Sequence, residues 1–174
     1  MQIDVSLIRK LIKTQFPKWA DLAISPVATS GWDNRTFHLG EHMSVRLPSD
    51  AQYESQVKKE QCWLPKLQAH LPLAIPKPIA MGEPSEEYPW HWSIYEWLDG
   101  ETAANESIID LSNFAKELAC FLNALHLCDT TGASSAGPDN FYRGGDLKVY
   151  DDEMRNAIDN LENRRQANIF TGIW

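Results

Sequence analysis

At 174 residues the chain has room for one modest domain, or for one complete lobe and part of another. Its 43% hydrophobic and 23% charged residues suit a globular protein with a core. A net charge of −8 argues against nonspecific nucleic-acid binding, which needs Lys and Arg to displace counterions from phosphates. No apolar run approaches the roughly 18 residues of a membrane span. Ile3 to Ile12 is broken by Asp4, Arg9 and Lys10, so it does not read as a secretory signal. Cys62, Cys120 and Cys128 lack disulfide or zinc spacing. A cytoplasmic protein with neither membrane nor nucleic-acid partner is expected.

Asp4 can cap a short helix in which Val5, Ile8, Leu11 and Ile12 share a face, ended by Pro17. Leu22 to Ala28 and Arg35 to Leu39 read as strands on either side of the turn residues Gly31, Asp33 and Asn34. After Gly40-Glu41-His42, the segment Met43 to Leu47 alternates, with Met43, Val45 and Leu47 on one side and Ser44 and Arg46 on the other. The pattern is an antiparallel meander. Asp50 to Trp63 suits a helix that Pro65 breaks or restarts. The stretch from Pro72 to Pro89 is expected to be mostly extended, because proline forbids helix interiors. Trp90 to Leu98 alternates as a further strand, closed by Asp99-Gly100.

Beyond residue 100 the period changes from two to 3.6. Leu111, Phe114, Ala115, Leu118, Ala119, Leu122 and Leu125 form a stripe that should face a core. Thr130 to Pro138 is a loop of small residues, and Leu147, Tyr150, Met154, Ile158 and Leu161 mark a second amphipathic helix. Strands followed by helices indicate an α+β fold with two lobes meeting near residues 97–100.

Several short motifs occur in a telling order. Ser30-Gly31-Trp32-Asp33-Asn34 precedes a strand, and Val45-Arg46-Leu47-Pro48 and Lys59-Glu60-Gln61-Cys62-Trp63-Leu64 follow. Ile75-Pro76-Lys77-Pro78, Tyr88-Pro89-Trp90 and Tyr95-Glu96-Trp97-Leu98-Asp99-Gly100 come next, then Leu125-His126 and Arg143-Gly144-Gly145-Asp146. In this sequence the chain resembles the aminoglycoside phosphotransferase and choline kinase group, whose fold is protein-kinase-like. The resemblance covers nearly all of the chain except its last ten residues. It implies a nucleotide-binding lobe over residues 1–99, an antiparallel sheet plus one helix, and the first helices of a helical lobe over 100–174.

The resemblance also implies roles. Ser30, Gly31, Asp33 and Asn34 occupy the loop that covers the phosphates of ATP or GTP with backbone N–H groups; alone, with one glycine, the segment reads as a structural turn. Arg46 stands where kinases place the phosphate-binding Lys, and its guanidinium offers a bidentate donor fork; alone it reads as a solvated strand residue. Glu60 takes the place of the helix glutamate that orients that cation, or is a surface helix residue. Tyr95, Glu96, Trp97 and Leu98 match the hinge whose backbone recognises the base, although aromatic and aliphatic residues there are more often plain core.

The family's catalytic loop, His-Gly-Asp-x-x-x-x-Asn, and its second metal-binding Asp are not found. Gly145-Asp146-Leu147 has Gly144 in place of the histidine, His126-Leu127-Cys128-Asp129 ends a helix, and Ala157-Ile158-Asp159-Asn160 lies within one. No catalytic or metal-binding residue is therefore assigned, and the ligands for Mg²⁺ are missing. His38, His42, His70 and His91 show no metal spacing. The tail from Arg165 to Trp174 departs from the family pattern and suggests a truncated gene product. The expectation is an inactive fragment of an ATP- or GTP-dependent kinase for small hydroxylated molecules, prone to self-association through uncovered helix faces. The alternative is a non-catalytic binding or interaction module that keeps the same lobe.

Overall fold

The computed structural model describes residues 2–28, 31–100 and 108–160. They fall into two compact units that divide between Asp129 and Thr130. In the first, α1 (Val5–Gln15) starts at Asp4, whose carboxylate accepts the Leu7 N–H at 3.0 Å, a cap that stabilises a helix by about 1 kcal/mol. Five strands follow: β1 (Ile24–Pro26), β2 (Asn34–Leu39), β3 (Met43–Pro48), β4 (Pro78–Gly82) and β5 (Trp92–Glu96). They form one antiparallel sheet in the order β1-β2-β3-β5-β4. The turn between β2 and β3 uses Gly40 at φ 64°, a left-handed conformation that glycine adopts without steric cost.

Alternation gives the sheet two distinct faces. Phe37, Leu39, Val45, Leu47, Trp92 and Ile94 point to one side and join Ile8, Leu11 and Ile12 of α1 in the core, with Tyr88 at its edge. The Tyr88 hydroxyl donates to the Pro48 carbonyl at 2.7 Å within that core. The N-terminal helix read from the sequence thus completes the core, a role its pattern did not reveal. Gln15 ties α1 to the start of the β4–β5 connection through Nε2 to the Glu83 carbonyl at 2.9 Å and Oε1 from the Glu83 N–H at 2.8 Å.

The other face carries α2 (Glu54–Gln68), preceded by a 3-10 turn over residues 51–53. This helix differs from the expected one: it runs through Pro65 and continues three residues. So near the C-terminus, the missing proline N–H leaves only the Gln61 carbonyl without its intrahelical donor, and the last turn survives. The Pro-rich segment is extended as anticipated and contributes β4.

α3 (Leu111–His126), capped by Asp110 through the Asn113 N–H at 2.9 Å, forms where the periodicity predicts. Its apolar stripe, expected to face a core, is largely open among the described residues: none of its residues is buried, and Phe114, Leu118 and Leu122 are each 42% exposed. Periodicity records which face of a helix seeks cover, not whether the covering surface lies among these residues. The second unit holds 3-10 turns at Pro138–Asn140 and Leu147–Tyr150 and then α4 (Asp151–Asp159). Leu161, expected at the end of its apolar face, lies outside the described residues.

Candidate functional site

The α2-facing side of the sheet is polar where the opposite side is apolar. Ser44 and Arg46 of β3 lie on it, and register places Arg46 opposite Ser93 and Ser44 opposite Tyr95 of β5. Above them α2 presents Glu60 and Gln61. Arg46 Nη1 lies 3.4 Å from Glu60 Oε2, with both side chains about two-thirds covered. The same carboxylate oxygen accepts a hydrogen bond from the Tyr95 hydroxyl. The Arg46 guanidinium carbon sits 5.3 Å from the Tyr95 ring centroid, within cation–π range. Gln61 Nε2 donates to Ser93 Oγ at 3.0 Å and to the Ala80 carbonyl at 3.1 Å, which fixes the helix on β4 and β5. Burial, then the charge of Glu60, pushes the Tyr95 phenol well above its ordinary range, so it stays a donor.

The loop before β2 is anchored at the end of β3. Ser49 donates from its N–H to the Asp33 carbonyl at 2.8 Å and from Oγ to the Trp32 carbonyl at 2.7 Å. Asn34 pairs with Pro48, and Arg35 Nη1 donates to the Gly31 carbonyl at 2.9 Å. A side chain built on Gly31 would meet nothing within 4 Å, and Trp32 is 90% exposed, so the loop rims open space. Ser30 lies outside the described residues.

The Glu96–Leu98 segment is more committed than its sequence suggests. The Glu96 N–H donates to the Lys77 carbonyl at 2.9 Å and the Trp97 N–H to the His42 carbonyl at 2.8 Å. The Trp97 ring packs on His38 with centroids 4.2 Å apart. Glu96 Oε2 faces Lys77 Nζ at 3.5 Å rather than joining Arg46. The structure therefore unites Arg46 with Glu60, leaves Leu98 partly exposed after the strand, and turns the amides of Glu96 and Trp97 into the protein.

Two features escaped sequence reasoning. Tyr95 falls in the hinge motif, where only the backbone is given a role, yet strand alternation puts its side chain on the face of Arg46 once β3 and β5 are paired. His91, given no role, has Nδ1 2.5 Å from Glu54 Oε1 and Nε2 3.1 Å from Glu83 Oε2. It joins α2 to the β4–β5 connection, a structural clasp. Among the described residues no group of three or more His, Cys, Asp or Glu side chains is arranged to hold a metal ion. Asp146 caps a 3-10 turn through the Lys148 N–H at 2.9 Å, and Asp159 is the last residue of α4.

The family model described as the phosphotransferase enzyme family matches residues 24–171. The match runs beyond Arg164, so the family pattern reaches into the tail that reads as divergent by eye. The fold is similar to that of the GDP and kanamycin complex of APH(2")-IIia, with a TM-score of 0.70 and 20% identity over 89% of this chain and 52% of that one. The GDP complex of wild-type aminoglycoside 2'-phosphotransferase-IIIa gives a TM-score of 0.73 and 19% identity over 92% and 53%. The streptomycin–ATP–APH(2")-IIa ternary complex gives 0.55 and 17% over 94% and 53%. The chain spans about half the length of these structures. A comparison with curated protein sequences finds no match.

Proposed function

Because the chain belongs to the phosphotransferase enzyme family, we propose that residues 1–99 are the nucleotide-binding lobe of a small-molecule phosphotransferase and that residues from 100 onward begin its helical lobe. ATP or GTP lies along the α2-facing side of the sheet. Its phosphates meet Arg46 under the Ser30–Asn34 loop, with Asp33 and Asn34 fixing the far end of that loop. Its base meets the hinge at Glu96, Trp97 and Leu98. With the first two N–H groups spent on the sheet, backbone donation to the base falls to Leu98. The observation that supports this reading is the Arg46–Glu60 approach of 3.4 Å, which orients a permanent cation on the α2-facing side of the sheet.

The acceptor is a small hydroxylated molecule, of which the aminoglycosides in the similar structures are one class. This chain alone transfers no phosphoryl group. Catalysis in this fold is positioning plus electrostatic stabilisation by metal-bound carboxylates, and its residues include no loop that supplies them. A cytoplasmic location suits a protein that draws on ATP or GTP.

Calorimetry with ATP and GTP, with and without Mg²⁺, tests the binding half. Wild-type chain should bind with little dependence on Mg²⁺, and Arg46→Ala should weaken binding about tenfold or more, as expected for a lost charge-assisted contact. Incubation with labelled nucleotide and a panel of aminoglycosides and amino alcohols tests the rest. Turnover above the Arg46→Ala control would overturn the assignment of an inactive chain and direct attention to Asp146.

A further inference from the structure

We propose that Tyr95 is a positioning residue of the Arg46 site: its hydroxyl holds the Glu60 carboxylate, and through it sets the guanidinium to receive an anion. The inference rests on the nucleotide reading above and extends it to a side chain to which the sequence gives no role, since the hinge motif assigns work only to the backbone. Three observations carry it. The phenol donates to Glu60 Oε2, the oxygen that also faces Arg46. The ring flanks the guanidinium at 5.3 Å. The ring is buried, with 2% of its surface exposed, so it cannot swing away from either partner.

A charge-assisted N–H···O bond closes to about 2.7–2.9 Å, and Arg46 stands at 3.4 Å from its carboxylate. Glu60 thus accepts a hydrogen bond from the phenol and meets the arginine only loosely. A guanidinium has five N–H donors, and a loose single-nitrogen approach to Glu60 leaves its fork available to phosphate oxygens. A tight bidentate pair would have consumed that fork. The phenol thus keeps Glu60 close enough to orient Arg46 without capturing it, while the Gln61 bonds to Ser93 and Ala80 hold the helix at the height this requires.

The test separates this role from packing. Tyr95→Phe keeps the ring and removes one oxygen; Glu60→Ala removes the acceptor from the helix side. Binding of ATP, of inorganic tripolyphosphate and of adenosine is measured by calorimetry for wild type, both single variants and the double variant, with near-UV circular dichroism to follow the fold. Tyr95→Phe should weaken ATP and tripolyphosphate by about three- to tenfold, the net range of an ordinary hydrogen bond and smaller than the direct loss of a charged contact because Tyr95 acts through Glu60, and leave adenosine unchanged. Glu60→Ala should show the same split, and adding Tyr95→Phe to it should produce no further loss. An equal loss for adenosine, a full additional loss in the Glu60→Ala background, or no loss at all would overturn the role of Tyr95 while leaving the nucleotide site standing. Should Tyr95→Phe lose its near-UV signal, an unsplit response in Glu60→Ala overturns it equally. Failure of wild type to bind ATP and tripolyphosphate alike would instead overturn the nucleotide reading itself.

Discussion

Replacing Gly82 by alanine tests the packing of the sheet at its tightest point. Gly82 of β4 pairs with Trp92 of β5, and a Cβ built there would lie 1.9 Å from Trp92 Cε2, 2.3 Å from Nε1 and 2.4 Å from Cζ2. Carbon atoms rest at about 3.5–4.0 Å, so the indole would have to move by roughly 1.5 Å or β4 would have to lift from it. Neither is easy. Trp92 is fully buried in the core shared with α1, and the Phe16 ring meets it edge-on with centroids 5.5 Å apart. Overpacking a closed core costs about 1–3 kcal/mol, and a rigid bicyclic ring argues for about 3 kcal/mol. The stiffer unfolded chain returns about 0.4–1 kcal/mol, which leaves a net loss of roughly 2 kcal/mol. Urea denaturation followed by tryptophan fluorescence should show it as a midpoint about 1 M lower, for a slope of about 2 kcal/mol/M. Trp92→Leu should cost less in the Gly82→Ala background than in wild type, since the two changes share one space. A midpoint for Gly82→Ala at or above that of wild type would refute the close approach of Gly82 to the indole.

The Glu54 carboxyl is held below its ordinary value of 4.5, chiefly by the hydrogen bond to His91 and against the opposing effect of burial. A carboxyl lowered on folding contributes stability above 4.5 that is lost as pH falls through its folded value. Urea midpoints should therefore drop below pH 4.5 more steeply for wild type than for Glu54→Gln, by under about 1 kcal/mol because the group is partly solvated. The uncovered face of α3 should drive self-association, and Leu118→Lys should shift sedimentation toward monomer while leaving the urea midpoint within about 0.5 kcal/mol of wild type, as befits an exposed position.

The hairpin of β2 and β3 was legible because Gly40 and the alternation of Met43 to Leu47 carry their signal within a dozen residues. The contact of Arg46 with Glu60 was legible only through the ordered motifs, since nothing local in either segment points to the other. What stayed hidden depends on pairing across long separations. That α1 closes the core requires knowing that β5 lies beside β3, and the same fact places the Tyr95 side chain on the face of Arg46. β4 was masked by its prolines, which an edge strand tolerates because half its backbone groups need no partner. The path of α2 through Pro65 was missed because a proline near a helix end removes a single bond, which the packing of the preceding turns outweighs. For α3 the periodicity was right and the inference of burial was not, because an apolar face states a requirement and not its fulfilment.

The strand order also governs how the lobe assembles in time. β5 enters between β3 and β4, so the sheet cannot be sealed until Trp92–Glu96 has been made. Until then the β1–β3 meander lacks its long-range neighbour, and the apolar face of α1, made before the strands, lacks the Trp92 and Ile94 side chains it packs with. Loop closure over such separations is paid before its contacts form and slows folding relative to local pairing. Nascent chains arrested short of residue 96 should therefore remain open to proteases along their whole length, and protection should arrive in one step as β5 clears the ribosome.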